Sequence, residues 1–335
     1  MRILVTGAAG YVGSHACKAL AQAGFEPIGL DNMERSGVES LPWGPIEVAD
    51  ICDRPALDRV LSKYRPGAAM HFAAYAYVGE SVTAPDMYYR NIVGGSITLL
   101  SALKDAGIDK FIFSSTCAVY GTPIACPVVE GHPLAPINPY GAGKQMVERI
   151  LVDSEAAFGI RHVALRYFNA AGADPGGEIG ECHDPETHAI PLAIQTALGK
   201  HPVFDVFGTD YPTPDGTAVR DYVHVSDLAS AHVRSLQYLI EGRASVALNL
   251  GMGRGHSVLE VVKAVEATTK HKVKLRKAPR RPGDAPILVA DPGLAATVLG
   301  WRPTIAGITE IVQTAVNWEL RKREIPVPRA HRPRL

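Results

Sequence analysis

Short apolar runs and longer amphipathic stretches alternate along the first half of the chain. Residues 2–6 (R-I-L-V-T) have the apolar character of a buried strand, and residues 11–23 then place apolar side chains at helical spacing as far as Gly24. The pattern repeats, with further strands predicted at 26–30, 45–49, 68–72, 110–115 and 161–167 and helices at 55–64, 87–106 and 140–158. Strands that alternate with helices in this way predict β-α-β units and a doubly wound parallel sheet.

The second half of the chain is richer in loops. Proline and glycine are frequent after Asn169, and the S-x-x-E pattern of Ser257 and Glu260 predicts the start of a later helix. We therefore predict an α/β protein whose second part is a smaller mixed α/β region. The predicted boundaries are 1–168 for the first domain, which also receives segments near 222–248 and 287–292, and 169–335 for the second, interleaved domain.

Composition narrows the class of protein. The 34 Lys and Arg balance the 34 Asp and Glu, so a global basic field for nucleic acid is absent. No apolar run approaches the ~20 residues that span a bilayer, and no signal-peptide pattern opens the sequence. Five cysteines without a C-x-x-C pair favour reduced thiols in the cytoplasm. Residues 182–188 (C-H-D-P-E-T-H) match no standard zinc spacing, so we predict a polar loop and no metal.

A glycine-rich segment, G-A-A-G-Y-V-G at 7–13, lies between the first predicted strand and helix. Gly7 can take the tight turn, Gly10 lets the backbone approach a pyrophosphate, and Gly13 lets the helix pack closely on the strand. The N–H groups at the helix start can then bind phosphate. This context predicts a dinucleotide site.

Asp31 ends the second predicted strand, 24 positions beyond Gly7 (31 − 7). A carboxylate at this place can accept hydrogen bonds from the adenosine ribose hydroxyls and would repel a 2′-phosphate. The pattern therefore predicts NAD as cofactor. Arg35, which follows closely, is a small argument for NADP.

Tyr140 and Lys144 are four positions apart, which places both side chains on one face of the predicted helix. A tyrosine with its ordinary pKa near ~10 is a poor base at neutral pH. We expect the neighbouring ammonium group to lower the pKa of Tyr140 and make it a general base. Ser114 and Thr116 end a predicted strand, where ligands bind in open α/β sheets. The alternative for the Tyr-Lys pair is an ordinary surface contact.

Longer blocks of sequence carry a family resemblance. They are H-F-A-A-Y-A-Y-V-G-E-S (71–81), F-S-S-T-C-A-V-Y-G (113–121), N-P-Y-G-A-G-K (138–144), L-R-Y-F-N-A-A-G-A (165–173), F-G-T-D-Y-P-T-P-D-G-T-A-V-R-D-Y-V-H-V-S-D-L (207–228), N-L-G (249–251) and R-R-P-G-D (280–284). With these blocks the chain resembles the UDP-glucose 4-epimerase family, a branch of the extended short-chain dehydrogenases/reductases. The resemblance covers positions 1 to about 300 and includes the G-x-x-G-x-x-G spacing.

The resemblance implies a Rossmann domain with bound NAD and a smaller domain for a UDP-sugar. The implied cofactor residues are Gly7, Gly10, Tyr11, Val12, Gly13, Asp31, Asn32, Asp50, Ile51, Phe72, Ala73, Ala74, Asn91, Ser114, Tyr140, Lys144 and Phe168. The implied substrate residues are Thr116, Tyr140, Asn169, His188, Phe207, Arg220, Arg281 and Asp284, and the catalytic residues are Tyr140, Lys144 and Thr116. Arginines can pair with a diphosphate, and an aromatic ring can pack on a base.

The implied reaction interconverts UDP-glucose and UDP-galactose through a transient 4-keto sugar. Family members also form homodimers, through helices that match 87–106 and 140–158 here. The short stretch 32–47 resembles forms from bacteria that make exopolysaccharide. Galactose metabolism is the other pathway that the resemblance implies.

Several alternatives remain open. A related 4,6-dehydratase would need an acidic pair after Thr116, but Cys117 and Ala118 follow it. UDP-pentose and UDP-N-acetylhexosamine 4-epimerases are harder to separate, and Leu288, at the position that gates N-acetylated sugars, does not decide between them. A non-catalytic NAD-sensing regulator of this fold would typically lack the Tyr-Lys pair, which this chain keeps.

Overall fold

Strands and helices alternate through the described residues, 1–35, 41–281, 284–305 and 307–322 of the computed structural model. The strands are β1 (Arg2–Thr6), β2 (Glu26–Asp31), β3 (Ile46–Val48), β4 (Ala68–His71), β5 (Lys110–Thr116), β6 (Arg161–Tyr167), β7 (Asn169–Ala171), β8 (Phe204–Phe207), β9 (Val219–Arg220), β10 (Tyr222–His224), β11 (Val246–Leu250), β12 (His256–Ser257), β13 (Leu275–Ala278) and β14 (Ile287–Leu288).

The helices are α1 (Tyr11–Gln22), α2 (Arg54–Tyr64), α3 (Val78–Thr83), α4 (Pro85–Tyr89), α5 (Gly95–Asp105), α6 (Pro139–Phe158), α7 (Ala189–Ala197), α8 (Val225–Ile240), α9 (Val258–Thr269), α10 (Gly293–Leu299) and α11 (Ile308–Arg321). The predicted capping box is present, since Ser257 and Glu260 exchange hydrogen bonds at the start of α9. Within the described part of the chain, no helix is long and apolar enough to cross a membrane.

The central element is a seven-stranded parallel sheet in the order β11-β6-β5-β4-β1-β2-β3. The chain winds outward in both directions from β1 and β4, so the predicted doubly wound sheet is confirmed. In β1, Ile3 and Val5 join a core with α1 and α8, whereas Leu4 joins a core with α2, α5 and α6 on the opposite face. Helices therefore cover both faces, as parallel sheets require.

The smaller region has a core of its own. Short sheets pair β10 with β7, β13 with β8, and β9 with β12 and β14. Side chains of α7, α9 and α11 pack with Phe204 and Val206 of β8. The boundary predicted between Phe168 and Asn169 stays a prediction.

The long helix predicted at 87–106 is divided in the structure. A π-helical turn, Arg90–Gly94, separates α4 from α5. This wider turn includes Asn91, whose Oδ1 accepts a hydrogen bond from the backbone N–H of Tyr75 at 2.9 Å. Apolar periodicity cannot reveal such a turn, because the residues on both sides keep helical spacing.

Candidate active site

A cavity of about 1310 Å³ lies at the carboxyl ends of β1, β4 and β5, where the strand order reverses. In doubly wound sheets this crevice is the expected place for ligands. The predicted site residues that line it are Gly7, Gly10, Tyr11, Val12, Gly13, Asp31, Asn32, Asp50, Ile51, Phe72, Ala73, Ala74, Asn91, Ser114, Thr116, Tyr140, Lys144, Phe168, Asn169, His188, Arg220, Arg281 and Asp284. The structure thus brings them together from both halves of the chain.

Phe207 is the predicted site residue that the structure leaves outside this lining. Its ring instead lies beneath Arg281, whose guanidinium carbon is 4.0 Å from the ring centroid. The contact is a cation–π interaction, which holds the arginine side chain at the cavity edge. The predicted packing of Phe207 on a base stays a prediction.

The glycine loop joins β1 to α1 in very little space. Gly7 has φ +71°, and a Cβ there would lie 2.5 Å from the backbone nitrogen of Ala73. A Cβ on Gly13 would lie 2.1 Å from the carbonyl oxygen of Gly7. Gly10 is the N-cap residue of α1, and no side-chain hydrogen bond caps this helix among the described residues. The loop therefore fits a pyrophosphate bound against its backbone.

The carboxylate of Asp31 is fixed beside this loop. It accepts hydrogen bonds from the backbone N–H of Ala9 at 3.0 Å and of Met33 at 2.9 Å. The side-chain amide of Asn32 donates to the carboxylate of Asp50 at 2.9 Å, which links the segment after β2 to the segment after β3. These polar groups form the end of the cavity where the sequence predicts adenosine.

The reacting centre is organised by the first turn of α6. Asn138 caps this helix by accepting the N–H of Gly141 at 2.9 Å, which sets Tyr140 and Lys144 on the face toward β5. Lys144 Nζ donates to the carbonyl oxygen of Ser114 at 2.7 Å and lies 6.0 Å from the ring centroid of Tyr140.

The pKa of Tyr140 differs from the prediction. Burial raises it, the nearby Tyr167 adds to the increase, and the hydrogen bond with Thr116 acts in the opposite direction. Burial also lowers the pKa of Lys144 to about 7, although Glu148 acts against this shift. The expected lowering of the Tyr140 pKa by Lys144 is therefore wrong for the protein alone, because desolvation outweighs the attraction of a partly neutral lysine.

Tyr167 belongs to the site but was not predicted. It lines the cavity, and its hydroxyl is 2.5 Å from Ser114 Oγ. Burial raises its pKa to about 12. The sequence did contain a signal for this residue, since Tyr167 directly precedes the predicted site residue Phe168 in the block L-R-Y-F-N.

The opposite side of the cavity is lined by cations. Arg220 forms an ion pair with Asp284, which orients its guanidinium. His188 precedes α7, and its ring nitrogen contacts the carboxylate of Glu181. Burial alone would lower the pKa of His188, but Glu181 raises it to about 9. This side can therefore hold an anion at neutral pH.

The loop predicted at 182–188 gathers more polar groups than its sequence suggested. Glu181, His183, Glu186 and His188 each place one ligand-type atom within 4.8 Å of the others. His183 Nδ1 lies 2.9 Å from Glu181. The prediction that no metal binds here stays a prediction.

Comparison with known proteins identifies the family. The profile of the NAD dependent epimerase/dehydratase family matches residues 3–251.

The chain belongs to this family.

The UDP-glucose 4-epimerase of Rhizobium meliloti (strain 1021) is 53% identical over 324 residues, which cover 96% of this chain and 98% of the relative. That of Azospirillum brasilense is 49% identical over 319 residues, or 95% and 92% of the two chains. The predicted family resemblance is confirmed.

Solved structures agree with this membership. The UDP-glucose 4-epimerase from Brucella ovis in complex with NAD has a TM-score of 0.92 and 48% identity, and covers 94% of this chain and 97% of its own. The enzyme from Stenotrophomonas maltophila, with bound NAD and formylated UDP-arabinopyranose, has a TM-score of 0.92 and 41% identity over 97% and 99% of the two chains. NAD is the cofactor of this family, and the glycine loop described above fits it.

Proposed function

We propose that the protein is a UDP-glucose 4-epimerase, which interconverts UDP-glucose and UDP-galactose through a transient 4-keto sugar with tightly bound NAD. The placement of Thr116, Tyr140 and Lys144 in one cavity carries this proposal. The glycine loop lies on one side of these residues, and the cations lie on the other. Relatives about half identical to this chain carry the same name, which supports the proposal.

Tyr140 acts as general base and acid on the sugar 4-hydroxyl, and Thr116 lines the same cavity. Lys144, fixed on Ser114, holds the cofactor side of the reacting centre. When bound, NAD supplies the hydride acceptor and donor, and its cationic nicotinamide favours the Tyr140 phenolate that burial disfavours. Because the net redox change is zero, NAD need not leave between turnovers.

The uridine diphosphate stays bound in place while the 4-keto sugar rotates. Arg220, Arg281 and His188 supply the cations for the diphosphate, and Asp284 orients Arg220. Asn169 and Phe168 also line the cavity. Fixed cations at one end and a rotating sugar at the other allow hydride to return to the opposite face.

The remaining site residues are assigned by their position along the lining. The proposed NAD residues are those of the glycine loop and the adjoining strand ends, namely Gly7, Gly10, Tyr11, Val12, Gly13, Asp31, Asn32, Asp50, Ile51, Phe72, Ala73, Ala74, Asn91 and Ser114. The NAD-binding domain is proposed to comprise 1–168 together with segments near 222–248 and 287–292, and the interleaved substrate domain to lie within 169–335. Phe207 is proposed to act on the uracil base indirectly, by supporting Arg281 through the cation–π contact.

The same proposal includes a homodimer formed through α5 and α6. Four apolar side chains on these helices are 46–57% exposed, namely Ile97, Met146, Val152 and Phe158. Exposed apolar side chains of this kind are candidates for contacts in such an interface. We place the enzyme in the cytoplasm, in galactose metabolism or exopolysaccharide synthesis. A monomer at all concentrations in light scattering would contradict the dimer.

A substrate panel tests the sugar assignment. Initial rates are measured by chromatography with UDP-galactose, UDP-arabinopyranose and UDP-N-acetylgalactosamine. The highest kcat/KM is expected for UDP-galactose. A higher kcat/KM for UDP-arabinopyranose would favour a second candidate function, a UDP-pentose 4-epimerase. The formylated UDP-arabinopyranose bound to the Stenotrophomonas enzyme is the observation that favours this candidate.

A further inference from the structure

Arg35 lies at the adenosine end of the cavity. It follows Asp31 by four positions (35 − 31), and both residues line the cavity. A guanidinium in this place is suited to a 2′-phosphate, because arginine binds phosphate through paired hydrogen bonds. The sequence therefore contains a group that could favour NADP over NAD.

The structure engages this guanidinium elsewhere. Arg35 Nη1 donates to Glu80 Oε2 at 2.7 Å, and Nη2 donates to Oε1 at 3.0 Å. The guanidinium carbon also lies 4.3 Å from the ring centroid of Tyr75 and 5.2 Å from that of Tyr77. The hydroxyl of Tyr88 donates to Glu80 at 2.7 Å and fixes the carboxylate. Both terminal nitrogens of Arg35 are thus committed to Glu80.

The other charges that line this end of the cavity are negative. Asp31, Glu34 and Asp50 all contribute carboxylates to the lining. Glu34 accepts a hydrogen bond from Tyr75 at 2.6 Å, which keeps it at the cavity wall. With Arg35 neutralised by Glu80, a phosphate dianion would meet three carboxylates and no uncommitted cation among the described residues of this end. Carboxylates that face a phosphate disfavour its binding, because the charges are of the same sign.

We propose that Glu80 is a specificity-determining residue for NAD: by engaging both terminal nitrogens of Arg35, it withholds the guanidinium from the 2′-phosphate that distinguishes NADP. Glu80 acts through Arg35, so it is a positioning residue, and it lies on a different segment from Tyr140 and Lys144. The inference rests on the proposed binding of NAD with its adenosine half at this end of the cavity.

Binding of two probes tests the inference without reference to turnover. The purified protein is freed of bound nucleotide and titrated calorimetrically with ADP-ribose and with its 2′-phosphorylated form. The wild type is expected to bind ADP-ribose much more tightly. Glu80→Gln keeps an acceptor for Tyr88 but weakens the hold on Arg35. We expect it to improve binding of the phosphorylated probe about tenfold, as for one new charge-assisted hydrogen bond, and to leave ADP-ribose binding nearly unchanged.

The double variant Glu80→Gln/Arg35→Ala decides whether Arg35 carries the gain, because the proposal requires the gain to vanish in it. The matched control is Asp58→Asn, which weakens the 2.7 Å ion pair with Arg54 on α2, outside the cavity lining. It is expected to change neither affinity. Glu80→Asp, which keeps the charge but shortens the reach, should give a smaller gain than Glu80→Gln.

An unchanged probe ratio in Glu80→Gln, or a gain that persists without Arg35, would overturn the role of Glu80. Binding of ADP-ribose by the wild type in the same experiment would leave the proposed function standing. Failure of the wild type to bind either probe would overturn both, since the nucleotide would then not lie where the inference needs it.

Discussion

The contact between Glu181 and His188 should control how tightly the enzyme holds the diphosphate of its substrate. Glu181 is buried, whereas the His188 side chain is 43% exposed and faces the cavity. Glu181 raises the pKa of His188 to about 9, with a smaller contribution in the same direction from Glu186 and an opposing one from Arg281. Replacing Glu181 with glutamine removes the main cause of the raised value.

The magnitude follows from the charged fraction of His188. A raised pKa means that the cation is present at low pH and is lost as the pH rises through that value. With a pKa of about 9, His188 is roughly nine-tenths charged at pH 8, whereas with the ordinary value of ~6.5 it would be only about 3% charged. Loss of one charge-assisted hydrogen bond to phosphate weakens binding by about 1.5–3 kcal/mol, or roughly 10- to 100-fold in Kd.

Calorimetric titration of the NAD-bound enzyme with UDP measures this effect between pH 7 and pH 10, where phosphate, with a second pKa near ~6, keeps a constant charge. The wild-type Kd should stay nearly flat to about pH 8 and increase above pH 9. In Glu181→Gln it should already be weak at pH 8. In His188→Asn, which cannot titrate, the step should disappear.

The matched control is Glu178→Gln, the same change on an exposed side chain three positions earlier (181 − 178). It should reproduce the wild-type curve. If Glu181→Gln binds UDP at pH 8 as tightly as the wild type, His188 does not hold the diphosphate as a cation, and the reasoning is refuted.

Two further variants test the scaffold around the site. Gly13→Ala should lose most of its co-purified NAD, because the added Cβ would lie 2.1 Å from a backbone carbonyl oxygen, whereas Gly94→Ala, with nothing within 4 Å, should retain it; equal NAD content by chromatography would contradict this. Glu148→Gln should lower the melting temperature by several degrees, because a buried Arg166 would lose the partner at 2.6 Å, and breaking such a pair costs about 3–5 kcal/mol. Asp153→Asn, in an exposed pair on the same helix, should melt with the wild type in scanning calorimetry.

Features set by local spacing could be predicted from the sequence. The glycine loop needs a strand before it and a helix after it, and Tyr140 and Lys144 need only one helical face. Both patterns are visible within a few neighbouring residues. The alternation of strands and helices fixes the sheet type for the same reason.

Features that depend on distant partners could not be predicted. Arg35 looked like a free cation in the sequence, but its partner Glu80 is 45 positions away (80 − 35). The raised pKa of His188 depends on Glu181, which the loop folds back against it. The pKa of Tyr140 was misjudged because burial, which no spacing reveals, outweighs the neighbouring lysine.

The most direct test of the central claim is a coupled assay of purified protein with UDP-galactose and no added NAD, which reads the formation of UDP-glucose. The account predicts turnover by the wild type on its retained cofactor. Tyr140→Phe should keep its NAD content but lose most of its activity, since general acid–base catalysis contributes about 10²- to 10⁴-fold. A Tyr140→Phe variant as fast as the wild type, or a wild type inactive even with added NAD, would contradict the account.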